Sequence, residues 1–504
     1  MPDPDLKWIG VGPENYPRVE PIVPIRLQLR DARYKITPSV ATLSAGIYGA
    51  VPYTVSATNP GSFLCGALAR NCKRLTRAKP KLLRIFRNFV RIIIRKLWSQ
   101  PLGEIMTFDQ WLKDAPYTRS RKEELRRAHL SYIANKSLYL KKRHETHGHD
   151  RSWHDKFYAC KSFTKREFYD TQVPKFPRAI NSRSDEYKTA VAAAVKTIEN
   201  LVFSEKWFIK HIKETERCNY LNTILDPTAK HILSTDFSSF ELSLRAEFTK
   251  ICEMQLYSHL LRNFPEELTF ILKQLDDVIL KSKGVQIETE SLRMSGEMNT
   301  SLGNGFSNFM IMLFSMSHDC VDGQPVYNGF KLEDLHAVFE GDDGLITCNK
   351  KPYPWWEQMG FVMKMEENED INTASFCGRV YALDDQSTIG DPLYYLYASG
   401  WSFKAVSAKQ STRDKLTCAK GFSYCYTFRG CPVIQELGRY LIRSSGVKAN
   451  EFKKWMENTT LVDWWDKIYK FDPKFDPFEF KEPTESARAI MYRKFKMHPS
   501  TQIL

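Results

Sequence analysis

The chain has no CxxC pair, no apolar run long enough to span a membrane, no GxxxxGK[ST] phosphate loop and no methyltransferase glycine fingerprint. Each absence removes a class of function. Without CxxC spacing, the eleven cysteines, scattered singly from Cys65 to Cys431, form neither a zinc ribbon nor a thioredoxin-like redox motif. Their odd number, with no secretory signal at Met1, predicts reduced thiols in a cytosolic compartment. The missing apolar run argues against a conventional membrane span, and the missing phosphate loop against a helicase built on that motif. Internal repeats and low-complexity tracts are also lacking, so a solenoid is not expected.

Acid is the scarcer charge. There are 73 Lys and Arg against 59 Asp and Glu in 504 residues, a formal net charge of +14. With 42% hydrophobic and 13% aromatic residues the chain is globular, long enough for two to four lobes, and suited to a polyanion or an anionic membrane surface. Between Lys35 and Arg70 no charge occurs at all, although Pro38, Pro52 and Pro60 break the segment. It runs into "KRLTRAKPKLLRIFRNFVRIIIRKLW", residues 73–98, with ten basic residues and no acid. From Lys81 to Trp98 there is no proline, and Arg84, Arg87, Arg91 and Arg95 recur every three or four residues, predicting a helix with one cationic and one apolar face. Three uses fit such a helix: lying on an anionic membrane, holding RNA phosphates, or packing its apolar face on the protein body. A second cluster, "HETHGHDRSWHDKFYAC", carries His144, His147, His149, His154 and Cys160; its spacing matches no zinc-ligand pattern, and a solvated loop is expected.

The sharp motifs lie between residues 160 and 380. A helix is predicted from Ser184, with Val191, Val195 and Ile198 on its apolar face. "HILSTDF", 231–237, reads as a strand that opens into a helix carrying Phe240, Leu244, Phe248 and Ile251. A long helix follows at about 298–317, then a hairpin centred on Asp342.

"FEGDDG", 339–344, places Glu340, Asp342 and Asp343 together with no cation nearby in the chain. Like charges this close repel, so the stretch is either a solvated acidic turn or half of a metal site. Asp236 stands at the end of a strand, where a carboxylate is held rigidly at an open cleft. Side by side, Asp236 and Asp342 could share two Mg2+ ions about 4 Å apart. "MSGEMNTSLGNGFSNFM" adds Thr300, Asn304 and Asn308 at spacings of four, one polar stripe on an otherwise apolar helix. Buried dry, such a stripe is costly, so it should face a polar ligand. Ser295 and Gly296 precede it in a loop that can approach another backbone closely.

In order and spacing these motifs resemble the RNA-dependent RNA polymerases of positive-strand RNA viruses, most closely the tombusvirus-like and flavivirus-like branches. Asp236 and Glu241 match the first acidic motif, with Glu in place of the usual second Asp. Ser295, Gly296, Thr300 and Asn304 match SG-x3-T-x3-N, and residues 341–343 match GDD. "GFVMKMEE", with Lys364, and "SFCGRVY", with Phe376, Cys377 and Gly378, resemble the two motifs that follow. Upstream, "SFTKRE" and "KFPRAINSRS" resemble the basic fingers motif, with Lys165, Lys175, Arg178 and Arg183.

The resemblance implies an α+β right hand whose palm is an antiparallel sheet backed by helices. Its expected parts are an N-terminal extension (1–105), fingers (106–230), palm (231–251), a fingers insertion (252–293), palm again (294–375), and a last motif with the thumb (376–504). It implies that Asp236, Asp342 and Asp343 hold two Mg2+ ions, with Mn2+ able to substitute, and that Lys364 protonates pyrophosphate. Lys175, Arg178 and Arg183 would neutralise the incoming triphosphate. Glu241, Ser295, Thr300 and Asn304 would contact the nucleotide, with Glu241 and Asn304 selecting ribose. Lys165, Gly296, Phe376 and Cys377 would contact RNA. The implied partners are template and nascent RNA, NTPs, other viral replication proteins and, peripherally, a host membrane, with synthesis in the host cytoplasm at membrane-associated replication sites. A reverse transcriptase would more often carry YxDD and an aromatic residue at position 241. The remaining alternative is a non-catalytic RNA-binding or membrane-assembly protein that keeps the fold.

Overall fold

A computed structural model describes residues 26–29, 40–47, 54, 59–71, 78–168, 177–276, 278–282, 284–289, 293–459, 475–479 and 481–495. Lys175 lies outside them, as does much of the N-terminal extension. The elements that matter for the site are helices α1 (Pro80–Leu97), α2 (Asp185–Val202) and α3 (Thr300–Ser317), and strands β1 (His231–Phe237), β2 (His336–Glu340), β3 (Asp343–Cys348) and β4 (Met363–Asn368).

The four strands form one antiparallel sheet in the order β2-β3-β1-β4. β1 is central, and its Ile232, Leu233, Ser234 and Thr235 are buried in succession, as expected of a strand covered on both faces. Asp236 breaks that run and is exposed. Against the sheet lies α3, buried from Leu302 to Ser317. A helix this apolar all round must be covered on every side. Phe309 meets Phe339 of β2 at 6.0 Å between ring centroids, while Phe314 meets Phe86 of α1 at 5.4 Å. The molecule is therefore layered here: sheet, then α3, then α1.

The apolar face of α1 (Leu82, Phe86, Val90, Ile93 and Ile94) is sealed into this core. Of the three uses open to that helix, packing on the body is the one the fold realises for its apolar side. No helix among the described residues is long and apolar enough to cross a membrane. Helix α2 begins where the sequence predicts, with the Ser184 hydroxyl accepting from the Tyr187 amide as its N-cap, and it buries Val191, Val195 and Ile198.

The helix expected after β1 differs. It is broken into Phe240–Ser243, Ala246–Ile251 and Glu253–Leu260, with Arg245 extended between the first two. The break lets Phe240, Leu244 and Phe248 all enter the core, where Phe237, Phe240, Phe248 and Phe361 pack ring on ring. Burial here outweighs the helical periodicity that a straight segment would satisfy.

A second sheet has the order Arg26–Leu29, Val285–Thr289, Val278–Ser282, Cys160–Thr164, Ala179–Arg183, antiparallel except where Cys160–Thr164 runs parallel to Val278–Ser282. Its last strand carries the upstream basic motif. Toward the C-terminus a three-stranded sheet (Ser375–Phe376, Arg379–Ala382, Ser387–Ile389) precedes the helices Gln410–Thr427 and Ile434–Ser444, which share a core with Ala487, Ile490 and Met491. The histidine cluster proves to be the helix Gly148–Tyr158 and the turn before it: His144, His147 and His149 are exposed, but His154 is buried with Nε2 3.1 Å from the Lys141 carbonyl. His154 is thus a core histidine, not part of a solvated loop.

Candidate active site

The hairpin β2-β3 turns through Gly341 and Asp342. Gly341 has φ 65°, the left-handed region that glycine enters without strain and that a two-residue hairpin turn requires. Glu340 pairs with Asp343, so Asp342 stands alone at the tip. Gly344 pairs with Thr235 on β1, which brings Asp343 level with Asp236. On the other side of β1, Lys364 lies directly opposite Asp236, so both side chains leave the same face of the sheet. Two segments a hundred residues apart in the chain thereby place their acids at one end of the sheet.

The electrostatics show how close they are. Burial, then the charges of Glu241 and Asp236, push the Asp342 carboxyl up to about 6, with Arg178 pulling against them. Burial, then Asp342 and Asp236, push Asp343 up to about 7, opposed by a hydrogen bond from the Cys377 thiol. Burial and like charge together favour the protonated form of both groups, an arrangement that a bound cation would offset. Among the described residues no three His, Cys, Asp or Glu side chains close into a finished metal shell. The donor chemistry is that of hard oxygen ligands, which suits Mg2+ or Mn2+ and not a thiolate-seeking metal.

Asn308 joins this site from behind. It is fully buried, and its Nδ2 donates to the carbonyls of Gly341 at 3.2 Å and Asp343 at 3.1 Å, gripping the turn on both sides of Asp342. One turn earlier on α3, Asn304 is buried with its Oδ1 lacking a hydrogen-bond partner among the described residues. Thr300 is at the start of the helix, its hydroxyl donating to the Met294 and Glu297 carbonyls at 3.0 Å each. The preceding loop leans on the second sheet: Ser295 donates to the Ala179 carbonyl at 3.1 Å, and a Cβ on Gly296 would stand 2.7 Å from the Asn181 carbonyl oxygen.

A model of the family described as viral RNA dependent RNA polymerase matches residues 116–504. The chain belongs to this family. It is 22% identical over 369 residues to the RNA-directed RNA polymerase of Turnip crinkle virus, a match covering 70% of this chain and 46% of that protein. Similar enzymes of Tobacco necrosis virus (strain A) and Greasy grouper nervous necrosis virus are 25% and 21% identical, over 40% and 50% of this chain and 29% and 24% of theirs. The chain therefore spans less than half the length of these curated relatives.

Not every residue expected at the polymerase centre is brought to it. Arg178 is exposed on the outermost strand side, bonded through Nε to Glu167 at 2.8 Å yet near enough to act on Asp342. Lys165, held to the same Glu167 at 2.7 Å, sits beside it. Arg183, expected to meet the triphosphate, does not: it is 2% exposed, paired with Glu297 at 2.7 Å, and donates to the Tyr158 and Gln274 carbonyls. With its fork filled, its role is to brace the loop before α3. Phe376, expected to touch RNA, is likewise buried, among Ile209, Val338, Leu345 and Tyr381. Its neighbour Cys377 takes a left-handed backbone (φ 54°) and reaches Glu340 at 3.8 Å, and burial pushes its thiol pKa upward.

Three contributors escaped sequence reasoning. Asn308 was visible as a member of the polar stripe, but nothing in the spacing pointed it at the hairpin. Arg217, buried, pairs with Glu340 at 3.2 Å and Glu214 at 3.3 Å, offsetting the acid next to the tip. Arg293 and Glu253 form a fully buried ion pair under Gly303, and Arg293 also donates to the Asn299 carbonyl at 3.2 Å. Isolated charges separated by forty residues carry no sequence signal of such a pair.

Proposed function

We propose that this chain is the catalytic part of a viral RNA-dependent RNA polymerase, joining ribonucleoside triphosphates on an RNA template with release of pyrophosphate. The observation that carries the reading is the union of Asp236, Asp342 and Asp343 at one end of the sheet, with Asp342 and Asp343 raised to about 6 and about 7. In this reading the four-stranded sheet with α3 is the palm, the five-stranded sheet belongs to the fingers, and the C-terminal helices are the thumb. The boundaries are those set out from the sequence.

Asp236 and Asp342, assisted by Asp343, would hold a pair of divalent cations, Mg2+ or Mn2+, which when bound activate the attacking hydroxyl and neutralise the leaving pyrophosphate. The remaining work belongs to side chains. Arg178, with Lys165 near it, supplies positive charge toward the triphosphate, since phosphoryl transfer depends on position and charge stabilisation. Lys364, opposite Asp236 and exposed, is placed to give a proton to pyrophosphate. The unsatisfied amide oxygen of Asn304 and the carboxylate of Glu241 are acceptors suited to ribose hydroxyls, which gives a chemical basis for preferring NTPs over dNTPs.

The test is incorporation of labelled NTPs on a single-stranded RNA template with Mg2+ or Mn2+. Asp342→Ala should lose at least about 10^3-fold in rate while binding RNA as wild type does. Wild-type protein that binds RNA but incorporates nothing, even with a primer and Mn2+, would overturn the assignment.

A further inference from the structure

We infer that the outer face of α1 is a second RNA-binding surface, one that grips the phosphate backbone of a single strand away from the carboxylate cluster. Lys81, Arg84, Arg87, Arg91, Arg95 and Lys96 are all exposed on this helix, which contains no acid. Among the described residues Lys96 is held by Glu333 at 2.8 Å and Arg91 meets only the neutral Asn88 at 3.3 Å, while Arg84, Arg87 and Arg95 have no carboxylate partner. The four arginines stand one per helical turn, a pitch of about 5.4 Å. A strip of that length without counter-charge repels itself, and its natural complement is a chain of regularly spaced anions.

The choice of RNA over membrane follows from what the other face does. Amphipathic helices hold bilayers by burying their apolar side. Here that side is already used: Phe86 and Phe89 pack on Phe314 at 5.4 and 5.2 Å, and Trp98 on Phe306 at 6.2 Å. The one large apolar side chain left outside on α1 is Ile92. What the strip offers is guanidinium groups, which bond phosphate oxygens in pairs. Because α3 lies between α1 and the hairpin, this surface is separate from the cleft and would hold a portion of the template that the cleft does not reach. The inference extends the polymerase reading but does not depend on catalysis.

The test uses the full chain and the variant Arg84→Gln/Arg87→Gln/Arg91→Gln/Arg95→Gln, with binding of a short strand of about 8 nucleotides and a long one of about 40 measured across a salt series. The expected result on the long strand is a slope of log affinity against log salt reduced by about 2 to 3, roughly 0.7 for each lost phosphate contact. Short-strand binding should not change. An unaltered long-strand slope in a variant with wild-type thermal stability would overturn the proposal. So would an equal loss from removing exposed charge elsewhere, at Lys113, Arg119, Arg126 and Arg127. Loss of flotation with phosphatidylserine vesicles while the RNA slope stays whole would overturn it in favour of a membrane face. Failure of the polymerase reading is seen separately: wild type would then incorporate no NTP although the slope difference between wild type and the strip variant persists.

Discussion

Asn308 shows how one amide disciplines a charged turn. Its Nδ2 spans the carbonyls on both sides of Asp342, so the tip has little freedom although its acids repel. Asn308→Ala should therefore lower kcat about 10- to 100-fold and raise the Mg2+ concentration needed, with KM for NTP little altered. A rise in KM alone would mean that Asn308 acts on the nucleotide and not on the turn. Asp343 makes the opposite point, because its pKa is about 7 in the fold against an ordinary 3.8. A carboxyl raised on folding contributes stability that is present at pH values below about 4 and lost as pH climbs through about 7. In Mg2+-free buffer Asp343→Asn should unfold at a higher temperature than wild type at pH 8 and at the same temperature at pH 4, by about 1 °C per kcal/mol at this chain length. Adding Mg2+ at pH 8 should raise wild type toward the variant, as a ligand of the folded state does. Equal midpoints at pH 8 would show that the clustered acids carry no cost.

At the scale of elements, the loop from Arg293 to Thr300 is held by two buried ion pairs, Arg183 with Glu297 and Arg293 with Glu253. Neither is accessible to solvent, so each pair binds its element in a single arrangement. Glu253→Gln keeps the volume but strands the Arg293 charge, and should cost about 3 kcal/mol in urea unfolding. A cost below about 1 kcal/mol would indicate that Arg293 finds other partners. Helix α3, strand β1 and the hairpin were legible from periodicity and from the Gly-Asp turn, because each depends on neighbours a few residues away. The break after Ser243 was not. Phe240, Leu244 and Phe248 keep helical spacing, but their burial is decided by Phe361, over a hundred residues further on.

At the scale of the whole molecule, what matters is where the thiols and the surplus charge lie. The ten cysteines among the described residues are all free, and seven of them are buried. Thermal unfolding with and without reductant should therefore agree to about 1 °C; a lower midpoint in reductant would reveal a disulfide that these positions do not form. The surplus of positive charge is unevenly placed. Part of it lies along α1, part near Asp342 through Arg178, and part is spent inside on Arg183, Arg217 and Arg293.

By itself the sequence determined which residue types sit at the strand end, the hairpin tip and the polar helix stripe, since local spacing dictates which side chains share a face. It also determined the family, through the collinear order of those motifs. Only the tertiary structure decided where each basic residue spends its charge: Arg178 pairs with Glu167 at the surface, near enough to act on Asp342, while Arg183 is buried and paired with Glu297. It likewise decided that Phe376 is core, that His154 is core, and that Asn308 holds the turn through Gly341 and Asp342. Those outcomes turn on contacts between residues far apart in the chain, and a charge or amide has the same appearance in sequence whether its partner is solvent, substrate or a buried carboxylate.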